Sequence, residues 1–302
     1  VNQNYFNRIY SLEIGYPLRP DQAKKISGLR LTFDITKTET PESNAATITI
    51  NNLSDATRSF IKERSSLDSS DGMTVTLRAS YEELEGRDEL PILFTGDIMG
   101  VSHDVTKPEI VTRLLCHDGL VSIKKSKFGK SYKAGVHVFQ IINDIVSSLG
   151  IPLQAKVESL GITDYIYNHG YTFSGKTSDA LSRVCNGYGL RWSCQNNTIK
   201  LYRAWNTDGT PGHDNKASAK GVIIGSPRRI AKTMSGVETT DFRGWEFDAL
   251  LLPQAEPGGT VQISSTQIPG SPVKLQVAEV HHAGDTHGDD WKSTIKARET
   301  GK

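Results

Sequence analysis

The run LRLTFDITKTETPESNAATITINNLSDATR, residues 29–58, constrains the fold more than any other part of the chain. Leu29, Leu31, Phe33 and Ile35 alternate with Arg30, Thr32, Asp34 and Thr36, the period-two pattern of a strand with one apolar and one wet face. Thr38 to Asn44 has loop composition, and Thr47 to Ile50 alternates again with Ile48 and Ile50 on one side. Asn51, Asn52 and Ser54 then break the strand, and Ser54 is placed to cap a helix. Two strands with a shared apolar face must lay that face on further strands. The run therefore predicts the opening of a β-barrel or sandwich, and it contains no catalytic motif.

The flanking sequence extends this pattern. Tyr10, Leu12 and Ile14 alternate with Ser11 and Glu13, a short strand that stops at Gly15 and Pro17. Ser54 to Glu63 reads as one or two helical turns. Met73 to Tyr81 is the cleanest alternating strand in the chain. Glu82 to Glu89 is an acidic turn, and Ile92–His103 with Ile110–Cys116 form a hairpin. Five or six short strands and one short helix over residues 1–119 predict a closed or nearly closed barrel.

Residues 120–215 change character. KKSKFGKSYK, residues 124–133, carries five lysines and no acid and reads as a linker or edge loop. Val138, Ile141, Ile142, Ile145, Val146 and Leu149 fall at helical spacing, stopped by Gly150 and Pro152. Ser178 to Asn186 is a second helix, and Leu190–Cys194 with Thr198–Arg203 make a hairpin about Asn196-Asn197. This is a small α+β domain, followed by a polar connection over 205–219. Residues 216–302 return to β, with strand candidates at 222–224, 236–240, 246–252, 260–264, 273–281 and 291–297 and a turn at Pro257-Gly258-Gly259. A weak repeat links the two β regions. Val101 to His103 and Val280 to His282 each close a strand on Val-x-His before a polar loop, an alternating strand and a glycine.

Charge and cysteine content narrow the function class. Lys plus Arg is 35 and Asp plus Glu 34, so no global charge points to nucleic acid. The distribution is uneven: 13 basic against 18 acidic residues in 1–119, 11 against 6 in 120–215, and 11 against 10 in 216–302. Stacking against other subunits is one use for such alternation. Cys116, Cys185 and Cys194 form no C-x-x-C pair, which argues against a zinc site or disulfide framework and for synthesis in a reducing cytoplasm. No signal peptide and no apolar run near the roughly 18 residues of a membrane span is expected.

Few residues suggest chemistry. His281, His282, Asp285 and His287, with Asp289 and Asp290, are the nearest approach to a metal or acid–base set. Gly284 and Gly288 in the same run favour a hairpin loop instead. His117-Asp118 has no nucleophile elbow near it, since G-x-S-x-G is absent. Glu82, Glu83, Glu85 and Glu89 read as a solvated turn, and Trp192, Trp205, Trp245 and Trp291 as core or subunit contacts before a sugar platform. Lys124, Lys125, Lys127, Lys130 and Lys133 are candidates for contact with an anionic partner, or for a solvated edge. No enzyme, cofactor or metal is expected.

Several motifs in order carry a resemblance. They are the opening at 31–58, FTGDI at 94–98, CHDG at 116–119 and GYTFSGKTSDALSRVCNGYGLRW at 170–192. P-x-x-x-P-G-G at 253–259 and HHAGDTHGDDW at 281–291 complete the set. Together they resemble the baseplate hub proteins of long-tailed bacteriophages, relatives of the late-control D proteins and of the N-terminal part of type VI secretion spikes. The resemblance implies two tail-tube-like β-barrels, at 1–119 and 216–302, with the small α+β domain between them. It also implies a homotrimer whose six barrels match a hexameric tail tube on one side and hold a spike or central fibre on the other. Tape-measure protein and DNA would pass through the centre, and other baseplate proteins would pack outside. The location implied is the virion tail. On this view the lysine run faces a protein neighbour more than DNA, because a sticky basic lumen would slow sliding. A receptor- or carbohydrate-binding tail protein is the alternative, and a metal-dependent hydrolase built on the 281–290 run is a further one.

Overall fold

The computed structural model describes residues 7–16, 19–62, 72–82, 90–106, 108–154, 157–160, 163–203, 218–220, 222–231, 243–268 and 270–299. The protein is mainly β, and its longer helices lie in the middle of the chain.

The first region holds β1 (Arg8–Tyr16), β2 (Arg19–Ile26), β3 (Leu31–Thr38), β4 (Ala45–Asn51), α1 (Asp55–Lys62), β5 (Thr74–Tyr81), β6 (Ile92–Thr106) and β7 (Glu109–His117). β3 and β5 bury alternate residues, as their sequence pattern requires. Ser54 Oγ accepts the Thr57 amide at 3.2 Å and so caps α1. Asn52, at φ 59°, turns the chain between β4 and α1, and its Oδ1 accepts the Ile110 amide at 3.0 Å. β2 departs from expectation. Its sequence, RPDQAKKI, has no apolar alternation, yet it pairs with β1 as an edge strand. Charged, exposed side chains suit an edge and hide it from pattern reading. The acidic turn lies largely outside the described residues.

The middle region holds α2 (Leu120–Lys125), β8 (Lys127–Tyr132), β9 (Val136–His137), α3 (Val138–Leu149), β10 (Ile166–Tyr167), β11 (Tyr171–Lys176), α4 (Thr177–Gly187), β12 (Leu190–Gln195) and β13 (Thr198–Arg203). The lysine run is therefore not a loop: it is the end of α2 and the whole of β8, which pairs with β11. Only Phe128 of β8 is buried, so its sequence shows no alternation. α3 buries the six apolar residues at helical spacing, and Phe139 with them, and ends at Gly150, whose φ of 69° suits glycine.

The last region holds β14 (Ser218–Lys220), β15 (Ile223–Ala231), β16 (Arg243–Leu250), β17 (Thr260–Ile263), β18 (Val273–Asp285) and β19 (Trp291–Glu299). The strand expected at 236–240 and most of the connection at 205–219 lie outside the described residues.

Thirteen strands form one sheet, in the order β15-β16-β19-β18-β3-β4-β7-β6-β5-β1-β2, with β17 beside β18 and β14 beside β17. Two stretches of this order repeat each other. β3-β4-β7-β6-β5 and β15-β16-β19-β18-β17 are both first, second, fifth, fourth, third in chain order, antiparallel throughout. Each has a bulge at the same place, between Ile98 and Gly100 in β6 and between Val277 and Glu279 in β18. Aligned on the bulges, Val101 falls on Val280 and His103 on His282, which is the weak sequence repeat. The partners repeat as well: His103 Nδ1 shares a 2.9 Å hydrogen bond with Thr112 Oγ1, and His282 Nδ1 a 2.8 Å bond with Ser293 Oγ.

β18 joins the two units. Val273–Gln276 pairs with β17, and Glu279–Asp285 pairs with β3. Buried apolar side chains gather in three clusters that follow the three regions, with one exchange: Leu251 and Trp291 pack in the first cluster. Phe33 meets Trp291 edge to face at 5.2 Å. A Cβ at Gly284, opposite Phe33 in the ladder, would overlap the Phe33 ring and lie 2.8 Å from Trp291. Fully buried Leu and Ile side chains such as Leu12, Ile35 and Ile48 each contribute roughly 1.5–3 kcal/mol.

Candidate functional site

The most built-up polar site is buried where the three regions meet. The β12–β13 hairpin turns at Asn196 and Asn197, both left-handed at φ 54° and 58°. Both turn amides donate to the Asp118 carboxylate, at 2.5 and 2.6 Å. Asp118 follows β7, so the end of the first β unit holds the tip of the middle region. Asn44, in the β3–β4 loop, donates to the Cys194 carbonyl at 2.7 Å and to Gln195 Oε1 at 3.1 Å. Gln195 donates to the Thr38 carbonyl at 2.8 Å. Lys37 is fully buried and donates to Asn196 Oδ1 at 3.1 Å. Asn196 in turn donates to Glu256 at 3.0 Å, and Lys200 pairs with the other Glu256 oxygen. Glu39 pairs with Arg191 at 3.1 Å and with Arg298, and the Tyr202 hydroxyl donates to the Glu39 carbonyl.

The charges of this junction answer one another. Burial pushes the Asp118 carboxyl up, opposed by the turn amides and Lys37. Burial pulls Lys37 down, opposed by Glu256 and Asp118. Burial also works to raise Glu256, but Lys200 and Lys37 overcome it and hold the carboxyl low. With each charge facing an opposite one, the arrangement ties the three regions together through buried hydrogen bonds and ion pairs. CHDG and the Asn-Asn turn were visible in the sequence as separate features. Their contact spans 79 residues, and nothing local announces it.

The His/Asp run does not converge. His281 to Asp285 continue β18 in place of forming a loop, so His281 and His282 point to opposite faces. His281 Nε2 pairs with Asp34 at 2.9 Å on the outer face. His282 is fully buried, and burial, with Lys37 and His281 near, holds its pKa well below the usual range. Asp285 pairs with Arg30 at 2.8 Å, which lowers its pKa, and accepts the His287 amide at 2.9 Å. Among the described residues no three His, Cys, Asp or Glu side chains gather as a metal site.

The five lysines lie on one stretch of surface. Lys124 and Lys125 end α2, Lys127 and Lys130 are exposed on β8, and Lys133 follows it. Lys130 pairs with Asp144 at 2.6 Å. Trp192, Trp245 and Trp291 are all buried. A tyrosine surface that the sequence reading missed lies on the middle region. Tyr165, 55% exposed, stacks on Tyr188 at 5.4 Å, and Tyr167 meets both Tyr188 and Tyr171. Tyr165 and Tyr188 are 23 positions apart on different elements, so no local motif marked them.

Comparison with known proteins agrees with this architecture. No curated protein sequence matches the chain. The tail protein of Neisseria meningitidis MC58 matches with a TM-score of 0.60 at 11% identity, over 97% of each chain. The 43 kDa tail protein of prophage MuSo2 from Shewanella oneidensis matches with a TM-score of 0.59 at 11% identity, over 96% of this chain and 97% of that one. The E. coli c3393 protein, a type VI secretion component, matches with a TM-score of 0.56 at 10% identity, over 95% of this chain and 76% of that one. These likenesses establish the fold. The family model described as Baseplate hub gp41 matches residues 12–188, more than half of the chain. The protein belongs to the baseplate hub gp41 family, a family of phage tail proteins.

Proposed function

We propose that the protein is the trimeric hub of a tail baseplate, a symmetry adaptor without catalytic activity. Three copies form a ring. Each contributes two tube-like barrels, built from residues 1–119 and 216–302, with the α+β unit of 120–215 at the side. Six similar units then face the hexameric tail tube, and the threefold face holds the spike or central fibre. Tape-measure protein and DNA pass through the centre, and neighbouring baseplate proteins pack around the lysine surface of Lys124, Lys125, Lys127, Lys130 and Lys133.

The observation that carries this reading is the repeated five-strand unit, with its repeated bulge and histidine pair. A chain that contains one unit twice presents six equivalent surfaces from three copies, which is what a threefold object needs to meet a sixfold one. The buried junction supports it too, since a ring under load needs its units fixed relative to one another. Electron microscopy of the purified chain mixed with the tail tube protein of the same phage tests the proposal. Threefold rings capping one end of a tube are expected; a chain that neither forms rings nor touches the tube would refute it.

The Tyr165–Tyr188 stack favours a second reading for the middle region, contact with a receptor glycan through aromatic stacking. Saturable glycan binding lost in Tyr165→Ala would support it.

A further inference from the structure

We infer that Lys37 and Asn196 join in an intramolecular isopeptide bond once the chain has folded, a covalent tie between the first β unit and the middle region. The two side chains meet across 159 positions of sequence, where the Lys37 ammonium donates to Asn196 Oδ1 at 3.1 Å. Lys37 lies on the buried face of β3 with Leu31, Phe33 and Ile35 and has no exposed surface. A lysine in such a place is costly as a charge and useful as a nucleophile, because desolvation favours the free amine. Burial does pull the Lys37 pKa down, against the pull of Glu256 and Asp118. An ammonium kept only for charge balance calls for a carboxylate as its hydrogen-bond acceptor. The Lys37 bond goes instead to the carbonyl oxygen of a neutral amide.

That amide is set up for attack. Asn196 Oδ1 also accepts the Thr95 backbone N–H at 3.3 Å, a donor that polarises the carbonyl and stabilises negative charge growing on its oxygen. Nδ2, the nitrogen that leaves, donates to Glu256 Oε1 at 3.0 Å. Lys200 pairs with the other Glu256 oxygen and, with Lys37, keeps this carboxyl ionised and able to take up a proton. Amine, polarised carbonyl and proton shuttle therefore converge on one side-chain amide. Strands from separate regions of the chain hold them there, which replaces a rare encounter by a fixed one.

The Lys37 ammonium gives its first proton to Asp118, whose carboxyl burial pushes up. The free amine moves from Oδ1 to the adjoining Cγ and adds to it, and the carbonyl π pair shifts to Oδ1. Nζ and Nδ2 then sit on one carbon, so the carboxylate that holds Nδ2 reaches both. Glu256 takes a proton from Nζ and returns it to Nδ2. The pair on Oδ1 re-forms the carbonyl, and the Cγ–Nδ2 bond breaks. Ammonia departs and carries the proton of Asp118 away as ammonium. One amide bond is made and one is broken, without oxidant or cofactor.

Intact-mass spectrometry of the purified full chain tests the bond. Loss of ammonia makes the chain about 17 Da lighter than its sequence requires. A tryptic digest is expected to contain one branched peptide that joins residue 37 to residue 196. Glu256→Gln keeps an acceptor for Nδ2 but cannot carry the proton, and it should slow bond formation at least about tenfold after refolding. Lys37→Met should keep the full mass, and circular dichroism checks that both variants fold. A folded, unmodified chain that holds its full mass through days at neutral pH overturns the inference. So does a mass loss that maps to residues other than this pair. A Glu256→Gln chain that joins as fast as the unmodified one overturns the shuttle.

Discussion

The two five-strand units share strand order, bulge and histidine pair, and they differ at their margins. In the first unit β3 is a regular strand whose inward face buries Leu31, Phe33, Ile35 and Lys37, and β18 covers its edge. In the second unit β15 occupies the same place, carries a register shift over Gly225–Pro227, and is largely exposed. The matching position at the end of the fifth strand differs too. Asp118 in the first unit reaches out to the β12–β13 turn, whereas Glu299, its counterpart, accepts the Trp245 indole N–H at 2.7 Å within its own unit. The lesson is that the two units share the ladder and differ at the edges. Where a margin meets the rest of the chain, as β3 does, it is buried; β15, with no further strand beside it among the described residues, stays exposed.

The sharpest way to break this contrast is at Asp118. Asp118→Ala leaves two turn amides without their acceptor and takes a neighbouring negative charge from the buried Lys37 ammonium, and about 3–5 kcal/mol of unfolding free energy should be lost. Urea denaturation measures it. Glu299→Ala, at the matching but less buried site, should cost clearly less; equal losses would show that the junction is not a special feature of the first unit.

The histidine pair comes next. His282→Ala should cost about 2 kcal/mol through its lost bond to Ser293 and the cavity left behind. His103→Ala, on a partly exposed position, should cost less than half of that. The pH dependence separates the two further. The folded pKa of His282 is depressed, so its contribution is complete above the unfolded value of about 6.5 and is lost as pH falls below it. The slope should approach about 1.4 kcal/mol per pH unit and should disappear in His282→Gln.

Glycine where β18 meets β3 is the third test. Gly284→Ala puts a methyl group into the Phe33 ring and should cost about 1–3 kcal/mol, while Val105→Ala at the matching position of β6 should leave the chain within about 0.5 kcal/mol of its original stability. The smallest effect is expected at the rim. Arg30→Ala removes the exposed partner of Asp285, and the denaturation midpoint at neutral pH should not move measurably.

Much of this was legible in the sequence. Strands with one wet face announce themselves by alternation, as β3, β5, β18 and β19 do. α3 does so by its helical apolar spacing and terminal glycine. β2 and β8 escaped because an edge strand in water has no apolar face to alternate, and lysine-rich β8 read as a loop. Lys37 lies on the apolar face that Leu31, Phe33 and Ile35 define, so its burial was implied by register and obscured by its charge. The His/Asp run looked like a cluster because adjacent letters look close. Strand geometry sends His281 and His282 apart. The buried junction was out of reach, since its partners are brought together only by the completed fold.

The most direct test of the central claim, one ladder with unlike edges, is amide hydrogen exchange on the chain alone. The account predicts that β3 and the 279–285 half of β18 are protected throughout. The amides of β15 that point away from β16 should exchange fast. If those amides are as slow as the amides of β3, the edge of β15 is covered in the free chain, and the contrast between the two units is lost.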